Sequence, residues 1–225
     1  MFLKRSYQKE IMDDFSITDM RINDALKELE IINKFLGGKS TTKKGIKLLL
    51  NNYSVSNKIK ILDVGAGGSD NFSFDKLLNE EIEITSFDIN KGVCRYTGNH
   101  GIEGNIVCGD VFHLPFKESS FDIVHASLFM HHFNEEEINV LLEKFLKISR
   151  YGIIINDLQR SLFALAGIKL LTLLFSRSKM VQNDGPLSVR RGFLKNELKE
   201  ILGQIKFPFS IKYSWAFRLL AVITK

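Results

Sequence analysis

Five short apolar runs recur along the middle of the chain with helix-length segments between them, and this alternation limits the possible folds more than any other feature. The runs cover residues 59–64, 82–89, 105–108, 121–127 and 152–156 and are rich in Ile and Val. Short runs rich in Ile and Val suit buried strands, as in a parallel sheet covered by helices. Residues 75–78 and 135–148 read as two of the covering helices. The spacing predicts an open, doubly wound α/β sheet. A chain of 225 residues is long enough for one such domain with a small elaboration.

Both ends add to that unit. Ile17, Met20, Ile22, Leu26, Leu29, Ile32 and Leu36 recur at helical spacing, and Gly37-Gly38 closes the run. A second short helix is predicted over 42–51, and a polar loop follows. Residues 1–55 therefore read as an N-terminal helical cap, and residues 56–225 as the main domain. Residues 158–190 form an insertion holding an apolar helix and, at Asn183-Asp184-Gly185-Pro186, a predicted turn. A helix over 193–202 and two strands over 205–213 and 217–224 end the chain. A terminal hairpin on a parallel sheet is foreign to the dinucleotide-binding fold. The prediction is a Rossmann-like α/β sheet of seven strands, mostly parallel with a C-terminal antiparallel hairpin, plus N-terminal helices and a helical lid.

Composition excludes several function classes. The net charge is +5, but the basic residues are dispersed rather than gathered into a nucleic-acid-binding patch, so no nucleic-acid partner is expected. Cys94 and Cys108 have no neighbouring Cys or His at metal-ligand spacing and suit a reducing compartment. Residues 1–14 lack the apolar core of an export signal. The longest apolar stretch, 162–175, is broken by Gly167, Lys169 and Thr172 and is too short to span a bilayer. A cytoplasmic protein is the expectation.

The chemistry concentrates where the apolar runs end. The first run leads into Asp63-Val64-Gly65-Ala66-Gly67-Gly68-Ser69-Asp70, a glycine turn through which backbone can approach a ligand closely. Nicotinamide and flavin enzymes use such turns too, so Asp70 discriminates: the dinucleotide pattern needs glycine there, and a carboxylate at that helix start repels a pyrophosphate. The second run ends at Asp88, about 20 residues on, where an acid can accept hydrogen bonds from a ribose; capping the next helix is the alternative role. The third run closes with Cys108-Gly109-Asp110-Val111. Asp110 can accept from an adenine amino group, with Val111 offering its backbone, or else simply form a turn. Acids at three successive strand ends fall together at the carboxyl edge of the sheet, where open α/β folds bind ligands.

In order and spacing, DVGAGGSD (63–70), SFDIN (86–90), CGD (108–110), LPF (114–116), SFDIVHAS (120–127) and MHHF (130–133) resemble the class I S-adenosylmethionine-dependent methyltransferases, and within them the subgroup that includes the ubiquinone and menaquinone biosynthesis enzymes. The resemblance covers residues 55–156 well and the rest more loosely. It implies S-adenosylmethionine as the cofactor. Asp63, Gly65, Ala66 and Gly67 would lie along its methionine end, Asp88 and Ile89 at its ribose, Asp110 and Val111 at its adenine, and Ser127 nearby. Ser69 replaces the family's frequent third glycine. Residues 156–160, the apolar helix and residues 184–193 are also similar to methyltransferases of bacterial polyketide or phenolic-lipid pathways. A small, largely apolar, phenolic or polyketide-like acceptor follows.

Methyl transfer is an in-line displacement at a carbon already activated by the sulfonium, so the protein must align the reactants and exclude water. A phenolic acceptor also needs a base. His131, after the fourth run, is the candidate, with Asp157 to orient it. His132 is the alternative, and a loop histidine with local hydrogen bonds is the bland reading of either. Asn156-Asp157 is similar to the acid-amide pair of metal-dependent catechol methyltransferases, but residues 127–130 supply no second carboxylate, so no metal is expected. Phe163, Leu170, Leu174 and Phe175 are expected to form an apolar lid with the N-terminal helices. Ordinary core packing, or a membrane-surface helix flanked by Arg160, Lys169 and Arg177, are the other readings of that stripe. The rival functions are a quinone-precursor C-methyltransferase, an RNA methyltransferase, a nicotinamide oxidoreductase, and a cofactor-binding protein without turnover.

Overall fold

The computed structural model describes residues 4–51, 53, 58–68, 72, 81–100 and 104–225. Two helices, α1 (Met20–Phe35) and α2 (Gly38–Leu50), lead into β1 (Lys58–Val64), β2 (Glu81–Asp88), α3 (Lys91–Asn99), β3 (Asn105–Cys108), β4 (Phe121–Ser127), α4 (Glu135–Ile148) and β5 (Ser149–Leu158). The insertion supplies α5 (Leu162–Phe175) and α6 (Lys179–Arg191), and α7 (Lys195–Leu202), β6 (Phe209–Ser214) and β7 (Arg218–Thr224) complete the chain. The sheet order is β3-β2-β1-β4-β5-β7-β6. Strands β1 to β5 are mutually parallel, and β7 runs antiparallel to both β5 and β6.

The alternating pleat decides which layer each side chain joins. Leu62, Val64, Val124, Ala126, Ile153 and Ile155 pack against Ile138, Leu142 and Phe145 of α4 and Leu198 and Leu202 of α7. Their neighbours Ile59, Ile61, Ile123 and Ile154 face the opposite side and meet Ile46, Leu49 and Leu50 of α2. Both faces are covered, which is why the runs are rich in Ile and Val. Each fully buried Ile, Leu or Phe stabilises the fold by about 1.5–3 kcal/mol relative to exposure.

A polar chain runs through the α2-facing layer. The Asp63 carboxylate lies 2.6 Å from Nδ1 of His125 on the neighbouring strand. The far nitrogen of His125 meets the Thr42 hydroxyl at 2.9 Å, and the Asn156 amide donates to that hydroxyl at 3.1 Å. Arg218 then donates to Asn156 at 3.0 Å and to Asn33 at 2.6 Å. This network ties α1 and α2 to β1, β4, β5 and β7, and buried polar groups arranged so specify one packing register.

The strand order reverses beside β1, so a crevice opens there at the carboxyl edge. Register lines up the relevant ends: Val64 lies opposite both Phe87 and Ala126, and Ser127 opposite Asn156.

Several boundaries and one element differ from expectation. Helix α1 begins at Met20 because Asp19 caps it, accepting from the Arg21 N–H. Helix α3 has few apolar residues and went unpredicted; it is started by Asn90, whose side chain accepts from the N–H groups of Gly92 and Val93. The turn predicted at Asn183-Asp184-Gly185-Pro186 is instead the interior of α6. Tertiary contacts override the local preference: Asp184 accepts the backbone N–H groups of Ile11 and Met12, and a Cβ at Gly185 would lie 3.2 Å from Ile168 of α5. The last hairpin's first strand starts only at Phe209. The helix expected over 75–78 lies outside the described residues, as do Ser69 and Asp70.

Candidate active site

Beyond β1 the chain turns through Gly65 (φ +61°) and Gly67 (φ +53°), a left-handed conformation that glycine adopts without strain. A Cβ on Gly65 would lie 2.0 Å from the Phe129 ring, so the turn is closed against that side chain. The Gly67 N–H donates to one Asp88 oxygen at 3.2 Å, and the Asn90 N–H to the other at 2.9 Å. Asp88 thereby braces the glycine turn. Burial pushes its carboxyl up to about 6, against the pull of those two N–H groups.

The other predicted cofactor residues separate into two sets. Gly65, Ala66, Gly67, Asp88, Ile89, Asp110, Val111 and Ser127 all line one cavity of about 640 Å³, a size typical of small-molecule sites, roughly 300–1,000 Å³. Asp63 is not among its lining residues: it is buried beneath the turn and engaged by His125. Burial pushes the Asp63 carboxyl up even though His125 draws it down. Asp110 accepts the Phe112 N–H at 2.9 Å and pairs with His113 at 3.0 Å, so it caps a short helical turn while half exposed to the cavity. The Ser127 hydroxyl is buried with no hydrogen-bond partner among the described residues. A buried polar atom normally has a partner, so an orphan facing a cavity is suited to a ligand.

The cavity continues past Ser127 to His131 and His132, beneath residues 7–15 and helix α6. His131 is 2% exposed. Its Nδ1 lies 2.7 Å from Asp157, whose second oxygen accepts the His131 backbone N–H at 3.2 Å. Asp157 itself sits behind the ring and does not line the cavity. The His131 Nε2 points to Glu10 at 3.5 Å, too far for a good hydrogen bond, and it has no hydrogen-bond partner among the described residues. Burial alone would lower the imidazole pKa, but Asp157 and Glu10 outweigh it and raise it to about 9. Asp157 shows the mirror effect, its burial outweighed by His131 so that it stays below the usual carboxylate range.

Sequence patterns gave no sign of the groups around this histidine pair. Glu10 accepts the Ser188 hydroxyl at 2.9 Å, and the Arg191 guanidinium approaches it at 3.6 Å. Asp13 binds both Nδ1 of His132 at 2.7 Å and Arg191 at 2.6 Å. Arg5 donates to the His131 and Phe133 carbonyls, which straps the N-terminal segment across the site. Glu10, His131 and His132 hold ligand-type atoms within 4.8 Å of one another. Arg191 lies beside Glu10 and Asp13, so the cluster is part of an ion-pair network. These residues come from segments with no periodic pattern, and only the fold brings them together.

The lid differs from expectation. Phe163, Leu170, Leu174 and Phe175 are exposed on α5 and do not reach the cavity. Its roof is α6, through Val181, Asp184, Gly185, Ser188 and Arg191, with the strap over residues 5–13. Helix α5 lies outside α6 because its short turn after Ser176, held by Glu28 of α1, sends α6 rather than α5 over the crevice.

Residues 62–153 match the family model described as a methyltransferase domain. This central segment of the chain is similar to a methyltransferase domain. That segment holds the glycine turn, Asp88, Asp110, Ser127 and both histidines, while the strap, the insertion and the terminal hairpin lie outside it. Solved methyltransferases share the fold. The plantazolicin methyltransferase BpumL, in complex with a triazolic desmethylPZN analog and SAH, is 15% identical, with a TM-score of 0.70 over 94% of this chain and 95% of that one. Human N-acetylserotonin methyltransferase in complex with SAM is 16% identical, with a TM-score of 0.64 over 98% of this chain and 60% of that one. Magnesium protoporphyrin IX methyltransferase from Synechocystis PCC 6803 with bound SAH is 15% identical, with a TM-score of 0.55 over 86% and 87%. No curated protein matches the chain in sequence. Among the described residues, no helix is long and apolar enough to cross a membrane.

Proposed function

We propose that the methyltransferase domain takes S-adenosylmethionine along the glycine-turn half of the cavity and a small, largely apolar acceptor with an ionisable hydroxyl in the half beneath the strap and α6. The observation that carries this reading is the continuity of one cavity from Asp88 and Asp110 to the buried His131–Asp157 pair. S-adenosylmethionine would supply a methyl group already activated on a sulfonium. Gly65, Ala66 and Gly67 offer backbone to it, Asp88 and Asp110 offer acceptors for its ribose and adenine, and the Ser127 hydroxyl is free to turn toward it. Met12, Phe15, Leu29, Phe133 and Val181 also line the cavity and suit an apolar ring. His131 offers Nε2 to the acceptor hydroxyl and takes its proton, while Asp157 fixes the ring orientation. A pKa near that of a phenol makes proton transfer between them nearly balanced. The strap and α6 exclude water from the reacting groups.

Asp88 gives this reading a direct test. A ribose donates to the ionised carboxylate, and Asp88 titrates near pH 6. Donor affinity should therefore hold above pH 6 and fall as pH drops through it, toward tenfold per pH unit in the limit. Asp88→Ala should weaken binding at neutral pH by about 1–3 kcal/mol and flatten that dependence. Calorimetric titration with S-adenosylhomocysteine between pH 5 and pH 8 measures both. Unchanged affinity in a folded Asp88→Ala protein contradicts the ribose assignment.

A further inference from the structure

Helix α5 is an apolar helix turned outward. Ala164, Ile168 and Thr172, with Leu165 and Leu171, form the stripe that packs toward α6. At 100° per residue, Leu162, Phe163, Ala166, Leu170, Leu173 and Leu174 fall on the opposite face. They are exposed there, Phe163 by 80%, Leu173 by 74% and Leu170 by 59%. A contiguous apolar face of that kind marks an interaction surface.

Charge selects the occupant. Residues 161–183 contain no carboxylate, and their three charged residues, Lys169, Arg177 and Lys179, are all cationic and exposed. Arg160 adds nothing outside, because it is buried against Glu197. Glu28 of α1 approaches this segment and is engaged by Ser176 and by the N–H groups of Arg177 and Ser178. The chain's single tryptophan, Trp215, is 72% exposed in the β6–β7 turn, next to Phe217, whose carbonyl accepts from Gln159 just before α5. Tryptophan is characteristic of membrane–water boundaries. Two copies of a cationic face repel one another, whereas an anionic bilayer complements both the apolar stripe and its basic margin.

We propose that the outer face of α5 docks in the plane of an anionic lipid surface. At 14 residues the helix is too short to span the hydrocarbon core and lies along the headgroup boundary instead. Helix α6 separates this face from the cavity it roofs, so the bound domain holds its acceptor half one helix away from the lipid.

Flotation of the full chain with phosphatidylcholine vesicles, and with vesicles that also contain phosphatidylglycerol, tests the proposal. The wild-type chain should float with the mixed vesicles, less with the neutral ones, and less again as salt is raised. Leu170→Glu with Leu173→Glu should cut binding at least about tenfold. Both positions are exposed, and circular dichroism melting checks that the fold persists. Lys169→Glu with Arg177→Glu and Lys179→Glu leaves the apolar face intact and should remove the preference for the mixed vesicles. Failure of the wild-type chain to bind either vesicle, or unchanged binding in the leucine variant, overturns the proposal. So does a dimer in sedimentation velocity that the leucine variant dissociates, because the occupant is then a second copy of the chain.

Discussion

Replacing His131 by Asn should lower methyl transfer to a phenolic acceptor by about 10²–10⁴-fold while leaving donor affinity unchanged, the range expected for loss of a general base. The substitution is a clean one. Asp157 keeps the backbone N–H groups of residue 131 and Leu158, and an Asn side chain can still donate to it, so no buried carboxylate is stranded. The pH profile separates chemistry from structure. His131 titrates near pH 9, held up by Asp157 and Glu10. Its base form is the deprotonated one, so kcat/KM of the wild-type protein should rise tenfold per pH unit through neutrality and level off near pH 9. The amide of the His131→Asn variant cannot titrate, so that variant should lack the rise. Asp157→Asn removes the carboxylate that raises the imidazole, and its profile should level off at lower pH with a reduced plateau. A merely structural Asp157 would leave the inflection where it is. Steady-state rates from pH 6 to pH 10, with bound donor checked by calorimetry, decide the matter. A flat wild-type profile with transfer rate-limiting would exclude His131 as the base.

The second large effect is on stability. His125→Leu should destabilise the fold by about 1–3 kcal/mol, the usual cost of leaving a buried hydrogen-bonding group without its partner. Asp63 is 1% exposed, and one of its oxygens already lacks a hydrogen-bond partner among the described residues. Removing the imidazole takes away its hydrogen-bond partner and also leaves the Thr42 hydroxyl without its His125 contact. Domains of this kind are stable by about 5–15 kcal/mol in total. At about 2–4 °C per kcal/mol for a chain of this size, the midpoint should fall by roughly 2–12 °C. Asp63→Leu together with His125→Leu removes both members and should recover most of the loss. Thermal melts of the two proteins test this. A single variant as stable as wild type would mean that the pair does not anchor β1 to β4.

How much of this was legible in the residues follows from how local each signal is. The five parallel strands were readable because short runs rich in Ile and Val recur between helix-length segments. Helix α4 was readable because Asn134 and Glu137 form a capping box ahead of an amphipathic stripe. Helix α3 was not, because its sequence is short and polar and its start depends on a single Asn side chain. The Asn183–Pro186 segment carries turn chemistry that contacts from α5 and residues 11–12 override. The carboxyl-edge acids were visible as a series of strand ends, but Asp63 and Asp88 share that signature and differ in what they meet: Asp63 turns inward to His125, and Asp88 turns to the glycine turn and the cavity. His131 and Asp157 were both readable as residues following strand ends. Their common partners Glu10, Asp13 and Arg191 were not, because contacts between residues 10 and 191 leave no pattern in either segment.

Calorimetric titration of the purified full chain with S-adenosylhomocysteine, and separately with NAD, tests the assignment of the cavity most directly. A single S-adenosylhomocysteine per chain, bound with an affinity that Asp88→Ala reduces and His131→Asn leaves unchanged, together with no binding of NAD, is the predicted result. Binding of NAD with none of S-adenosylhomocysteine would contradict it.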